Sequence, residues 1–260
     1  MRVQVSLRAL RSSESISEDV LHTVAGESKG TKMGLVPFVV LKEPFAMRSQ
    51  RHTLTPRIRV STKIAALYAL GRREDAAKSL RNAITRYRLP RAFFSELFLH
   101  LSLFLGYPAM LDAFEDLDKI SPAGKNSEPR RLDRKTFAHR GLRIFHRIYG
   151  SQVPRILKRL KDLHPELPYR IVEDAYGRIF SRSGLSLQER ELVTVVLLAT
   201  GGYQRRLFSH LRGALRIGVP ARTVRDVLAN NERLTGKTMH PAMSMIDALD
   251  DESQQTEQSL

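Results

Sequence analysis

From Ser61 onward, apolar residues recur at helical spacing, and this periodicity constrains the fold more than any other feature of the sequence. Glycine and proline interrupt it at Gly71, Leu89–Pro90 and Gly106, so the pattern divides into separate helices. Few segments show the strict alternation of strands. The sequence therefore predicts an all-α fold.

Two stretches of this helical region resemble each other. The first, "ALYALGRREDAAKSLRNAITRYRLPRAFFSEL", aligns with "VLLATGGYQRRLFSHLRGALRIGVPARTVRDVL" when one inserted residue is allowed. The alignment matches Gly71 with Gly202 and Pro90 with Pro220, and "YPAMLDAF" further on answers "HPAMSMIDAL". We interpret the pattern as two related helical repeats in one chain, each of about 55 residues.

The same patterns divide the chain into five segments. Residues 1–58 lack sustained periodicity and are expected to be a poorly ordered or docking extension. Residues 59–120 form a degenerate first repeat, and 121–129 ("SPAGKNSEP") form a linker rich in helix breakers. The main helical domain occupies 130–250, and 251–260 is an acidic tail that we expect to be frayed.

Composition narrows the chemistry and the location. The chain has no cysteine, which excludes disulfides and every thiol-dependent reaction. No apolar run approaches the roughly 18 residues needed to cross a bilayer, and the N-terminus lacks the pattern of a secretory signal. We therefore expect a cytoplasmic protein without a membrane segment.

The net charge of +16 favours contact with anionic partners. Between Lys125 and Lys161 there are twelve basic residues and two acids. Because no nucleic-acid-binding motif accompanies them, we do not expect binding to nucleic acid; a solvated basic face or a subunit contact is the preferred interpretation.

Glu191 and His210 are the candidate acid–base pair. Ser186 and Glu189 have the spacing of a capping box, and Gly201–Gly202 closes the helix that they begin. If the glycines fold this helix and the next into a hairpin, Glu191 and His210 lie at similar heights, roughly 12–16 Å from the turn. A carboxylate beside an imidazole suits general acid–base chemistry.

Neighbouring side chains could bind an anionic ligand. Arg190, Arg206 and Arg212 are near enough in sequence to offer bidentate donors to a carboxylate. The alternative is purely structural: Glu191 is a first-turn acid favoured by the helix dipole, and His210 hydrogen-bonds a core carbonyl. Spacing alone leaves both open. His100, in the apolar run "ELFLHLSLFL", is expected to be a core histidine.

The motifs "YGRIFSRSGLS", "ERELVTVVLLA" and "SHLRGALRIGV", with "RGLRIFHRIYG" upstream, resemble the carboxymuconolactone decarboxylase family of the alkylhydroperoxidase D-like superfamily. The resemblance implies an all-helical fold that forms homo-oligomers, as dimers, trimers or hexamers. The family's glutamate and histidine fall on Glu191 and His210. The cysteine pair of its peroxidase branch falls on Tyr203 and Arg206, so thiol-based peroxide reduction is excluded.

The decarboxylase branch, by resemblance, works without metal or organic cofactor on a small carboxylated lactone. The resemblance thus implies a lyase or isomerase that uses Glu191 and His210, with Tyr203 and the three arginines as substrate-binding residues. Ile179 stands where the family often has tryptophan, so the substrate stays open. The alternative is a non-catalytic oligomer with a decayed site, because the first repeat has Ser79 at the position that matches His210.

Overall fold

The computed structural model describes residues 54–124 and 133–258, with side chains as far as Asp251. Within these residues every regular element is helical, which confirms the all-α prediction. In chain order the elements are α1 (Pro56–Ala69), α2 (Arg73–Tyr87), α3 (Arg91–Ile120), α4 (Arg134–Tyr149), a 3₁₀ turn (Gly150–Gln152), α5 (Val153–Leu163), α6 (Leu167–Tyr169), a π-helix (Arg170–Phe180), α7 (Leu187–Gly201), α8 (Gln204–Arg216), α9 (Ala221–Thr235) and α10 (His240–Gln258).

Helix α7 lies at the centre of the described fold. Its residues from Glu189 to Thr200 are all buried, and it packs against α1, α3, α8 and α9. The predicted capping box is present: Glu189 N donates to Ser186 Oγ at 3.1 Å, and Ser186 N donates to the Glu189 carboxylate at 2.8 Å. Gly202 then ends the helix with φ of 76°, a value that favours glycine.

Two glycines bring α4 and the π-helix into backbone contact. A Cβ added to Gly141 would lie 1.8 Å from the Val172 carbonyl oxygen, and one added to Gly177 would lie 2.2 Å from that of Phe137. No side chain fits at either position. The hydrogen bonds of the π-helix follow the i→i+5 pattern, which is wider than that of an α-helix.

Helix α3 departs from a regular helix at Gly106, where φ is 76° and ψ is −179°. Its first half packs into the core through Phe93, Phe94, Leu97 and Phe98. An 18-residue window of α3 has a mean hydropathy of 1.4, so among the described helices this one is long and apolar enough to cross a membrane. A single such helix is weak evidence for a membrane span, and the absence of a membrane segment stays a prediction.

Two helices extend beyond the segment boundaries that the sequence predicted. Helix α1 begins at Pro56, inside the expected extension, and α10 continues to Gln258 through the expected frayed tail. The tail contains no glycine or proline to stop a helix. The rest of the extension and residues 125–132 of the linker region lie outside the described residues.

The predicted duplication is compatible with the order of the elements. Gly71, between α1 and α2, and Gly202, between α7 and α8, both have positive φ values of 69° and 76°. Gly106 and Gly236, with φ of 76° and 71°, precede the two segments that begin "YPAM" and "HPAM". Common ancestry of the two halves stays a prediction.

Candidate active site

Glu191 on α7 and His210 on α8 form a buried pair. The glycine turn folds the two helices against each other, so that His210 Nδ1 lies 2.9 Å from Glu191 Oε2. Glu191 is fully buried and His210 is 9% exposed. A carboxylate can only accept hydrogen bonds, so with Glu191 ionised the proton lies on His210 Nδ1. The other ring nitrogen, Nε2, then faces away from the carboxylate.

A pair of tyrosines lies on the Nε2 side of the imidazole. The Tyr149 hydroxyl, at the end of α4, is 3.5 Å from His210 Nε2, and it is 2.7 Å from the hydroxyl of Tyr176 on the π-helix. The packing of α4 on α8 places Tyr149 beside the histidine, and the close contact of α4 with the π-helix places Tyr176 beside Tyr149. Sequence reasoning missed these tyrosines because α4 and the π-helix are distant from His210 along the chain.

Burial keeps both phenols protonated. It raises the pKa of Tyr149 above its usual value, and the charge of Glu191 adds to this, while the hydrogen bond with Tyr176 and the charge of Arg206 oppose it. Burial likewise raises the pKa of Tyr176 well above its usual value. At neutral pH each phenol can therefore donate a hydrogen bond.

Gly213 on α8 allows the close packing behind the pair. A Cβ there would lie 2.6 Å from Ile148 Cγ2 and 3.6 Å from Glu191 Oε2. The second oxygen of this carboxylate, Oε1, is buried without a hydrogen-bond partner among the described residues. Leaving a buried oxygen without a hydrogen-bond partner costs free energy.

The pair opens on a cleft of about 1700 Å³ between α4, α5, the π-helix and α8. Tyr149, Tyr176 and His210 line it, and so do three of the predicted binding residues, namely Tyr203, Arg206 and Arg212. Tyr203 is 61% exposed. The structure thus brings these side chains to one cavity.

Arg190 lies elsewhere, and its predicted role in ligand binding was wrong. It is fully buried, and its Nη2 donates to Glu96 Oε2 at 3.0 Å and to the Arg182 carbonyl at 3.2 Å. Consecutive helical residues point in directions about 100° apart, so Arg190 faces α3 when Glu191 faces α8. It is a structural residue.

His100 is a core histidine, as predicted from its apolar neighbours. Its Nε2 lies 3.0 Å from Thr194 Oγ1, and it is fully buried. Burial lowers its pKa well below the usual value, and the charges of Arg190 and His210 add to this. Among the described residues, no group of three or more His, Asp or Glu side chains is arranged to hold a metal ion.

Residues 165–238 match the model of the carboxymuconolactone decarboxylase family. The chain is 35% identical to Peroxisomal protein 2 of Saccharomyces cerevisiae, over 43% of this chain and 45% of that protein. It is 30% identical to the 4-carboxymuconolactone decarboxylase of Acinetobacter baylyi, over 34% of this chain and 66% of that one. The chain therefore spans less than half of the first relative and just under two thirds of the second.

Proposed function

Because residues 165–238 match the model of the carboxymuconolactone decarboxylase family, we propose that this protein is a cofactor-free lyase or isomerase that acts on a small carboxylated lactone or a related acid. The observation that carries the proposal is the 2.9 Å contact between His210 and Glu191 at the base of an open cleft. The family match covers both residues, and Tyr149 lies outside it.

The proposed reaction needs one proton. When the substrate loses its carboxylate, the carbon–carbon bond breaks, carbon dioxide leaves, and the electron pair stays on the substrate in conjugation with the lactone carbonyl. His210 delivers the proton from Nε2 to carbon and is reprotonated from solvent. Glu191 holds the ring in place through Nδ1 during the transfer.

Tyr149 and Arg206 supply the electrostatic part of the proposal. The Tyr149 phenol keeps its proton and can donate to the oxygen on which negative charge develops. Arg206 and Arg212 are exposed in the cleft and can bind the substrate carboxylates as bidentate donors. Binding and proton transfer then use separate groups.

The alternative, a non-catalytic oligomer with a decayed site, expects His210 away from any cavity. Its place in the cleft lining and its contact with Glu191 favour the catalytic proposal. We retain the homo-oligomer as a proposal, because Tyr107 and Leu111 on α3 are 72% and 56% exposed. The cytoplasm is the proposed location, and the yeast relative makes the peroxisome the alternative.

The test measures turnover of 4-carboxymuconolactone by the full chain, with release of carbon dioxide as the readout. Replacing His210 with glutamine should lower kcat by about 10² to 10⁴, the usual contribution of a general acid or base. The matched control is His139→Gln, an exposed histidine on α4 outside the cleft lining. Unchanged turnover in His210→Gln, or no turnover by the unsubstituted chain, contradicts the proposal.

A further inference from the structure

The wall of the cleft beyond His210 is strongly basic. Seven of its lining residues are Lys or Arg, whereas Asp162 is the one acid among them. That acid is already paired, because Lys158 Nζ lies 2.9 Å from its carboxylate. The described lining of the cleft therefore carries a large excess of positive charge.

Five of these cations have no ion-pair partner among the residues that the structure describes: Arg159, Arg205, Arg206, Arg212 and Arg216. All five are exposed. Elsewhere in the described fold, arginines such as Arg57, Arg73 and Arg225 are paired with carboxylates. Unpaired like charges that share a cleft repel one another, and a multiply charged anion relieves that repulsion.

The arginines extend far beyond the reacting pair. Arg205, Arg212 and Arg216 recur at helical spacing along the cleft side of α8. From the first to the last of them the helix rises roughly 16 Å. The cleft volume of about 1700 Å³ also exceeds the roughly 300–1,000 Å³ of typical small-molecule sites. A small lactone would occupy only a part of it.

Apolar side chains complete the cleft. Phe104 and Phe208 are half-buried there and belong to the same lining. A ligand that fits both surfaces has an organic body for the aromatic part and several negative charges for the arginines. Phosphate matches the planar fork of arginine through paired hydrogen bonds, and a single ligand can carry several phosphates.

We propose that the arginines of α8 form a phosphate subsite, and that the natural ligand is an organic anion with two or more phosphates. The acid group of this ligand that reacts lies at His210. This part of the inference rests on the proposed function, whereas binding of the phosphates does not. A nucleotide and an acid carried as a thioester on a nucleotide-bearing carrier share this chemistry.

The experiment measures binding of three probes to the full chain by calorimetry: inorganic triphosphate, ATP and coenzyme A. All three should bind, and the tightest of them identifies the source of the phosphates. The variant Arg212→Gln/Arg216→Gln should weaken binding at least about tenfold, because it removes two charge-assisted contacts. The control is Arg143→Gln/Arg147→Gln, two exposed arginines of α4 outside the cleft lining, which should bind as the unsubstituted chain does.

Three results would overturn the subsite: no binding of any probe, unchanged affinity in the α8 variant, or an equal loss in the α4 control. The last would indicate attraction by net charge alone. His210→Gln separates this inference from the proposed function, since it should keep phosphate binding. A chain that decarboxylates the lactone but binds no phosphate contradicts the subsite alone. Arginine-dependent binding with turnover that does not need His210 contradicts the proposed function alone.

Discussion

Gly141→Ala tests the contact between α4 and the π-helix that places Tyr176 beside Tyr149. In an α4 that packed loosely, alanine would stabilise the protein by about 0.5–1 kcal/mol, because glycine is a poor residue in the middle of a helix. In the structure the new Cβ would lie 1.8 Å from the Val172 carbonyl oxygen, more than 1 Å below the 3.0 Å that real Cβ contacts respect. The Cβ is fixed to the backbone of α4 and the carbonyl oxygen to that of the π-helix, so the two helices must separate to relieve the contact.

Overpacking of this kind typically costs about 1–3 kcal/mol, which exceeds the gain in helix propensity. We therefore expect a net loss of about 1–2 kcal/mol in the free energy of unfolding, or a fall of roughly 2–8 °C in Tm. Urea unfolding followed by far-UV circular dichroism gives the first value directly. Arg143→Ala, at an exposed position of the same helix, is the control. Neutral or higher stability in Gly141→Ala would refute the packing of α4 on the π-helix.

Three further substitutions test other parts of the fold and site. Tyr149→Phe should lower kcat on the lactone by about 10²-fold, since it removes one hydrogen-bond donor; equal kcat would remove this residue from the mechanism. Ser186→Ala should cost about 1 kcal/mol in urea unfolding because it removes the cap of α7, and unchanged stability would contradict the capping box. Burial lowers the pKa of His100 in the folded state, so stability is lost as pH falls through the unfolded value of about 6.5. The unsubstituted chain should therefore have a lower free energy of unfolding at pH 5 than at pH 7.5, and this difference should shrink in His100→Gln but not in His139→Gln. Equal differences in the two variants would contradict the claim that His100 is buried in its neutral form.

Helical periodicity and local stop signals predicted much of the fold. The capping box at Ser186 and the glycine turn after α7 are local patterns, and each of them lies where the sequence placed it. The contact between Glu191 and His210 followed from the same information, because a short turn between two helices leaves few arrangements.

The features that were not predicted depend on contacts between distant segments. Tyr149 lies beside His210 because α4 packs against α8 at Gly213, and Tyr176 lies beside Tyr149 because Gly141 lets α4 approach the π-helix; no local pattern reports either approach. Arg190 was expected to bind a ligand. Sequence spacing does not show which neighbouring helix a residue of a buried helix faces, and Arg190 faces Glu96 on α3. The continuation of α10 was missed because polar composition was given more weight than the absence of helix breakers.

The central claim is that Glu191 and His210 act as one acid–base unit. The most direct test is a double-mutant cycle, in which kcat/KM on 4-carboxymuconolactone is measured for Glu191→Gln, His210→Gln and the double variant. Groups that act as a unit give non-additive losses, so the double variant should be no more than about two- to threefold slower than His210→Gln alone. The claim would be contradicted if the loss in kcat/KM of the double variant equalled the product of the losses in the two single variants.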